Sequence, residues 1–113
     1  MKILIIGGAG FIGSILVKKM LNDNADIIVI DKLSLGSADY IDTTKVEFHQ
    51  IDINNTKQVL KALEDRKVGE VWHLAANSDI PAGVEDMNVD LDDTFMSTVS
   101  TLKIMKKIGC KKL

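Results

Sequence analysis

The sequence predicts a doubly wound α/β fold, a three-layer α/β/α arrangement in which helices cover both faces of a parallel sheet. Short apolar runs alternate with segments of helical periodicity along the chain. The first two runs, Lys2–Ile6 and Asp26–Ile30, are apolar almost throughout. This composition is typical of strands that are covered on both faces. Right-handed connections between such strands predict the strand order 3-2-1-4.

The first predicted strand leads directly into the glycine-rich turn GGAGFIG, which spans Gly7–Gly13. Apolar residues at helical spacing then predict a helix over Ser14–Leu21. The polar residues Asn22–Asn24 end this helix, and the second strand follows and ends at Asp31. The order strand, glycine turn, helix, strand is typical of Rossmann-type dinucleotide-binding folds.

In the middle of the chain the signals are shorter. A helical turn is predicted near Ala38–Ile41, and a third strand over Lys45–Phe48. Either Asn54 or Asn55 caps the next helix, with Gln58 as the capping-box partner of Asn55.

The last part of the chain predicts one more strand and one long helix. Gly69 ends a connection, Glu70–Leu74 forms the fourth strand, and a loop extends to about Met87. A helix then covers Val89–Ile108, and Gly109 provides its C-terminal cap. Apolar residues at helical spacing predict its buried face: Leu91, Phe95, Val99, Leu102 and Met105.

Composition restricts the class of protein. The 113 residues suffice for one small domain. Fourteen basic and 16 acidic residues give a net charge of −2, which argues against a nucleic-acid partner. The apolar run Ile3–Ile6 is too short for a signal peptide or a membrane span, so no membrane partner is expected. Cys110 is the only cysteine, which suits a reducing compartment and a cytoplasmic location. Two separated histidines and one cysteine give no metal-ligand spacing.

The glycine turn indicates a phosphate-binding loop. Glycines here allow a sharp turn and close approach to a pyrophosphate, which the N-terminus of the helix then faces. Two glycine patterns overlap, one starting at Gly7 and one at Gly8, and both continue through Gly10 and Gly13. A P-loop is excluded because Ser14 rather than lysine follows the last glycine. A tight turn without a ligand is the alternative interpretation.

Asp31 supports a dinucleotide site, because it ends the second strand 21 positions after Gly10. A carboxylate at this point accepts hydrogen bonds from the adenosine ribose hydroxyls and repels a 2′-phosphate. NAD is therefore favoured over NADP, although Lys32 beside it softens the repulsion. In the alternative interpretation, Asp31 is only a polar residue at a strand end.

The chain resembles the extended short-chain dehydrogenase/reductase superfamily, and within it the NAD-dependent nucleotide-sugar epimerases and dehydratases. The resemblance runs along the whole chain and lies in the segments KILIIGGAGFIGS, DKLSLGS, HQIDI, WHLAANSDI and TFMSTVSTLKIMKKIGCKKL. Ile6 stands where the family often has threonine, and Ser100 replaces a frequent glycine. Ser97 falls where an asparagine near the nicotinamide ribose is common.

The resemblance implies a set of NAD-binding residues: Gly7, Gly10, Phe11, Ile12, Gly13, Asp31, Lys32, Ser34, Gly36, Ser37, Asp52, Ile53, Leu74, Ala75, Ala76 and Ser97. Within this set, Asp52 and Ile53 are expected to flank the adenine. Ser34, Gly36 and Ser37 are ordinary loop residues in the alternative interpretation, and Asp52 is then a turn cap. Residues 77–79 either contact a ligand or only shape a loop. His73 is expected to be a packed or capping histidine rather than a catalytic base.

The resemblance also implies that the parent protein oxidises a nucleotide sugar transiently by hydride transfer to NAD. Such enzymes use a Tyr-x-x-x-Lys pair, whereas the only tyrosine here, Tyr40, is followed four positions later by Thr44. We therefore expect residues 1–113 to be the N-terminal part of a cofactor domain, inactive alone and without catalytic residues. Unpaired sheet edge and apolar helix surface then favour a homo-oligomer. The alternative is a self-contained dinucleotide-sensing or protein-binding module.

Overall fold

The computed structural model describes all residues from Met1 to Leu113. Four parallel strands form one sheet in the order β3-β2-β1-β4, which confirms the predicted topology. The strands are β1 (Lys2–Ile6), β2 (Ile27–Asp31), β3 (Glu47–Gln50) and β4 (Val68–His73).

Helices cover both faces of this sheet. They are α1 (Phe11–Asn22), α2 (Thr56–Ala62), α3 (Ile80–Glu85), α4 (Met87–Asp90) and α5 (Ser97–Ile108), with a 3₁₀ turn at Ala38–Tyr40 and a π-helical segment at Leu91–Met96. None of them combines the length and apolar character that crossing a membrane requires.

Two apolar cores lie on opposite faces of the sheet, because successive strand residues point to opposite sides. On the side of α2 and α5, Leu4 and Ile28 pack with Val59 and Ile104. On the side of α1, Ile5 and Val29 pack with Val17. Each of these fully buried side chains adds about 1.5–3 kcal/mol to the free energy of unfolding. The three-layer arrangement follows from this two-sided burial.

Three of the four strands differ in their bounds from the predictions. β2 comprises Ile27–Asp31 instead of Asp26–Ile30. β3 is shifted toward the C-terminus and comprises Glu47–Gln50 instead of Lys45–Phe48. Gly69 lies inside β4 rather than before it. A Cβ at Gly69 would lie 2.7 Å from the Met1 sulfur, so the glycine makes room for the N-terminal side chain.

Helix α2 begins at the second of the two predicted caps. The Asn55 side chain accepts a hydrogen bond from the Gln58 backbone N–H at 3.2 Å. Its Nδ2 donates to Gln58 Oε1 at 3.1 Å. The side-chain pair thus replaces half of the expected capping box, in which Gln58 would accept from the backbone.

The prediction of a loop from the fourth strand to Met87 is wrong, because this stretch contains α3. Asp79 caps α3 by accepting from the Ala82 N–H at 3.1 Å, and Pro81 lies in its first turn. Proline is favoured at that position because the N–H that it lacks would have no partner there.

The predicted helix Val89–Ile108 is present as one continuous helical run, but it begins at Met87 and contains a π-helical segment. Its first part belongs to α4 and to the π-helical segment, and the remainder is α5, which ends at Gly109 with a φ of 73° as predicted. A π turn holds more residues than an α turn, so it rotates the helix face that follows. The buried residues are consequently Ser97, Ser100, Thr101, Ile104 and Met105. Of the predicted face only Met105 is buried, whereas Leu91, Phe95 and Leu102 are exposed.

Candidate functional site

A cleft of about 460 Å³ opens at the carboxyl ends of β1, β2 and β4. Its walls come from the glycine turn, the loops after β2, β3 and β4, the π-helical segment and the start of α5. In open parallel sheets, ligands bind at this edge, where the connections on either side of the first strand diverge.

The cleft brings together fifteen of the sixteen residues that the sequence singles out. They are Gly7, Gly10, Phe11, Ile12, Gly13, Asp31, Lys32, Ser34, Gly36, Asp52, Ile53, Leu74, Ala75, Ala76 and Ser97. Ser37 is not among the lining residues. Its hydroxyl instead caps the 3₁₀ turn, accepting from the Asp39 N–H at 3.2 Å.

The glycines of the turn have different physical reasons to be glycine. Gly7 has a φ of 81°, and a Cβ there would lie 2.7 Å from the Ala75 nitrogen. A Cβ at Gly13 would overlap the Gly7 carbonyl oxygen, so Gly13 lets α1 pack directly against the turn. At Gly10 the nearest atom to a Cβ, the Gly7 oxygen, is 3.5 Å away. Packing within the chain thus requires Gly7 and Gly13, whereas a side chain at Gly10 would only occupy space beside the cleft.

The N-terminus of α1 lacks a cap of its own. No side chain accepts from its first turn, and that turn contains no acidic residue. The N–H groups of Phe11, Ile12 and Gly13 donate to no acceptor in the chain. Because Phe11, Ile12 and Gly13 also line the cleft, these donors and the positive end of the helix dipole lie at its wall.

The Asp31 carboxylate is held at the end of β2 by two backbone donors. Its Oδ2 accepts from the Ala9 N–H at 2.9 Å, and its Oδ1 accepts from the Leu33 N–H at 2.8 Å. The first bond ties the end of β2 to the glycine turn. Each carboxylate oxygen retains further acceptor capacity, so Asp31 can still receive hydroxyl donors from a ligand.

Lys32 is the only cationic side chain that lines the cleft, beside the acids Asp31, Asp52, Asp92 and Asp93. Its ammonium forms an ion pair with Asp93. Burial alone would lower the pKa of Lys32. The hydrogen bond to Asp93 and the charges of Asp93, Asp52 and Asp92 outweigh it, and the pKa is raised. Lys32 therefore stays protonated, and its positive charge is neutralised by the ion pair with Asp93.

Eight further residues line the cleft outside the set that the sequence implies: Ile6, Ile30, Leu35, Ile51, Asn54, Ser78, Asp92 and Asp93. Ile6 and Ile30 could have been inferred, because they stand at the ends of predicted strands. Asp92 and Asp93 could not, because the pattern presents them as acids that support the start of an exposed helix.

His73 is packed against α5 rather than placed among acids. Its Nε2 lies 3.1 Å from Thr98 Oγ1, and its Nδ1 lies 3.4 Å from Thr101 Oγ1. Burial lowers the pKa of His73.

Ser97, which is buried at the cleft wall, donates to the Asp93 carbonyl oxygen at 2.7 Å.

Comparisons with known proteins agree with this geometry. Residues 3–113 match the model of the NAD dependent epimerase/dehydratase family. UDP-glucose 4-epimerase of Lactobacillus helveticus is 37% identical over 113 residues, which make up 100% of this chain and 34% of that protein. The NAD complex of Thermus thermophilus UDP-glucose 4-epimerase is 28% identical, with a TM-score of 0.90 over 98% of this chain and 35% of that one.

The Thermotoga maritima UDP-glucose 4-epimerase structure with UDP-glucose is similar to the same degree. It is 29% identical, and its TM-score is 0.91 over 98% of this chain and 36% of that one. The chain thus spans about a third of the length of the relatives that it matches.

Proposed function

We propose that the cleft of this chain, which belongs to the NAD-dependent epimerase/dehydratase family, binds NAD. The proposal depends above all on one observation: a Cβ at Gly10 would meet no atom closer than the Gly7 oxygen at 3.5 Å, next to a helix start without a side-chain cap. An anionic group placed there receives the free N–H donors of α1. The pyrophosphate of NAD is such a group.

The rest of the cleft suits the adenosine half of the same molecule. Asp31, held at the end of β2, accepts from the ribose hydroxyls, and Asp52 and Ile53 flank the adenine. Four carboxylates line the cleft together with a single ammonium, which is already paired with Asp93. A ligand with an additional phosphate at the ribose 2′ position is therefore disfavoured. This balance supports NAD rather than NADP.

For the whole protein we propose a nucleotide-sugar epimerase or dehydratase, as in the relatives named above. Bound NAD supplies a reversible hydride acceptor for the sugar. This chain positions the cofactor, and Ser97, which lines the cleft, is expected near the nicotinamide ribose. The proton-transferring Tyr-x-x-x-Lys pair is not among residues 1–113, and we expect no turnover of nucleotide sugars by the 113-residue chain. A coupled assay with UDP-glucose and NAD checks this, and any turnover contradicts it.

The test of the cofactor site is the titration of NAD and NADP against the chain and its Asp31→Ala variant. We expect NAD affinity to fall about tenfold, because one or two charge-assisted hydrogen bonds are lost. Affinity for NADP should fall less, because a repulsive charge disappears too. Asp39→Ala is the matched control, since Asp39 is an exposed aspartate outside the cleft.

The ratio of the two affinities separates ribose recognition from loss of structure. Asp31 also accepts from Ala9 and Leu33, so its removal loosens the turn. A loosened turn weakens both dinucleotides alike and leaves the ratio unchanged. An unchanged ratio would therefore contradict the ribose assignment, and a wild-type chain that binds neither dinucleotide would contradict the proposed function.

A further inference from the structure

We propose that Asp93 determines the choice between NAD and NADP, because it engages the Lys32 ammonium that would otherwise bind a 2′-phosphate. This inference rests on the proposed function, namely that the cleft binds a dinucleotide. It assigns selectivity to a residue that lies 61 positions from Lys32 in the chain.

The position of Lys32 explains why this ion pair affects the choice between NAD and NADP. Lys32 follows Asp31 directly, and both side chains line the cleft. A free ammonium beside the residue that accepts from the ribose is a suitable partner for a 2′-phosphate. Asp31 repels such a phosphate and Lys32 attracts it, so the two neighbours have opposite effects on NADP. Pairing Lys32 with a second carboxylate leaves the repulsion dominant.

The backbone around Asp93 is held by contacts on both sides. The preceding carbonyl, that of Asp92, accepts from Asn54 Nδ2 at 2.9 Å. The carbonyl of Asp93 itself accepts from the Ser97 hydroxyl at 2.7 Å. Both contacts fix the π-helical segment beside the cleft, and they place the Asp93 carboxylate opposite Lys32.

The ion pair is also partly removed from water. The Asp93 side chain is 23% exposed and that of Lys32 is 36% exposed. Charges in such surroundings interact more strongly than those of a fully exposed pair. The nearby charges of Asp52 and Asp92 further favour the charged lysine. Lys32 is thus a cation that is already paired with Asp93 and is not free to bind a phosphate.

Asp93→Asn tests the inference, because it removes the charge while keeping the size of the side chain. We expect the dissociation constant for NADP to fall roughly three- to tenfold, and that for NAD to change by less than about twofold. Asp92→Asn is the matched control. It removes one charge from the adjacent cleft residue, whose side chain forms no hydrogen bond with Lys32.

Two further variants identify Lys32 as the group that acts. Lys32→Gln alone should lower NADP affinity by no more than about the same three- to tenfold factor, because it leaves the Asp93 carboxylate unpaired beside the 2′-phosphate. In Lys32→Gln/Asp93→Asn, the gain in NADP affinity should disappear. Unfolding of each variant without ligand, followed by circular dichroism, reports the fold separately.

Several outcomes would overturn the inference. They are equal gains from Asp92→Asn and Asp93→Asn, a gain that persists without Lys32, or a gain in NADP affinity from Lys32→Gln alone. If the wild type binds NAD and selectivity does not move, only this inference fails. If the wild type binds neither dinucleotide, the proposed function fails with it.

Discussion

Two connections from a strand to a helix line the same cleft, and they are built by different means. After β1, the four residues Gly7–Gly10 lead straight into α1. After β4, Leu74–Asp79 lead into α3, and two more helical pieces follow before the regular helix α5. The first connection has the glycines expected from the sequence but is shorter than predicted, because α1 begins at Phe11 rather than at Ser14. The second departs from its prediction altogether.

Backbone sterics determine the first connection. A Cβ at Gly7 would meet the Ala75 backbone, and one at Gly13 would meet the backbone of the turn itself. Such restrictions are visible in a sequence, because only glycine satisfies them.

Side-chain hydrogen bonds determine the second connection. The Asn77 N–H donates to Thr94 Oγ1 at 3.0 Å, and Asn77 Nδ2 donates to Asp90 Oδ1 at 2.9 Å. These partners are 17 and 13 positions away in the chain. The comparison teaches that steric exclusion can be inferred from a short stretch of sequence, whereas polar contacts between distant segments cannot.

The largest effect should come from adding a methyl group inside the glycine turn. Gly13→Ala should lower the free energy of unfolding by about 3 kcal/mol, because the Cβ has no room against the backbone. Gly10→Ala is the matched control and should change it by less than about 0.5 kcal/mol, since its backbone, with φ −77° and ψ −179°, suits any residue. Urea unfolding compares the two.

A larger side chain at Gly10 then tests ligand binding separately from folding. Gly10→Val should fold and yet lose NAD binding, because the side chain fills the space proposed for the pyrophosphate. Equal destabilisation by Gly10→Ala and Gly13→Ala would contradict the claim that packing requires glycine at position 13 and not at position 10.

A middle-sized effect concerns the apolar surface of the second connection. Exposed apolar side chains recur there and on the adjoining helix α5: Ile80, Val84, Met87, Leu91, Phe95 and, in α5, Leu102. We expect the 113-residue chain to self-associate through this surface. Pairing through the β4 edge contributes less, because the Val71 N–H already donates to the Lys112 carbonyl at 2.9 Å.

Phe95→Gln should weaken this association severalfold, since Phe95 is 62% exposed and its ring is lost from the contact. Lys103→Gln, an exposed change on the following helix, should not weaken it. Sedimentation over a tenfold concentration range measures both. A wild-type chain that remains monomeric throughout would rule out this role of the surface.

The smallest effect concerns pH. Burial lowers the pKa of His73 in the folded state, below the value of about 6.5 expected for the unfolded chain. The unfolded chain therefore binds more protons as the pH falls below about 6.5, and stability should decrease. His73→Gln should lose this part of the pH dependence. Chemical unfolding at pH 5 and 7.5 checks this prediction. If the free energy of unfolding changes by the same amount between these two pH values in both proteins, the assignment is contradicted.

Much of this molecule follows from local rules. Apolar runs predict the four strands, the right-handed connections predict their order, and glycine spacing predicts the turn between β1 and α1. Asp31 is recognisable for the same reason, because the carboxyl end of a parallel strand lies at the ligand edge of the sheet. These inferences need only the chain direction, the side-chain period and the volume of a residue.

The tertiary structure alone decided how the segment after β4 closes the cleft. The π-helical segment rotates α5 so that Ser97 and Thr101 are buried, and Phe95 faces outward. It also brings Asp93 to Lys32. No periodicity in the sequence predicts these features, because the helix face that is buried depends on hydrogen bonds and packing between residues that are distant in the chain.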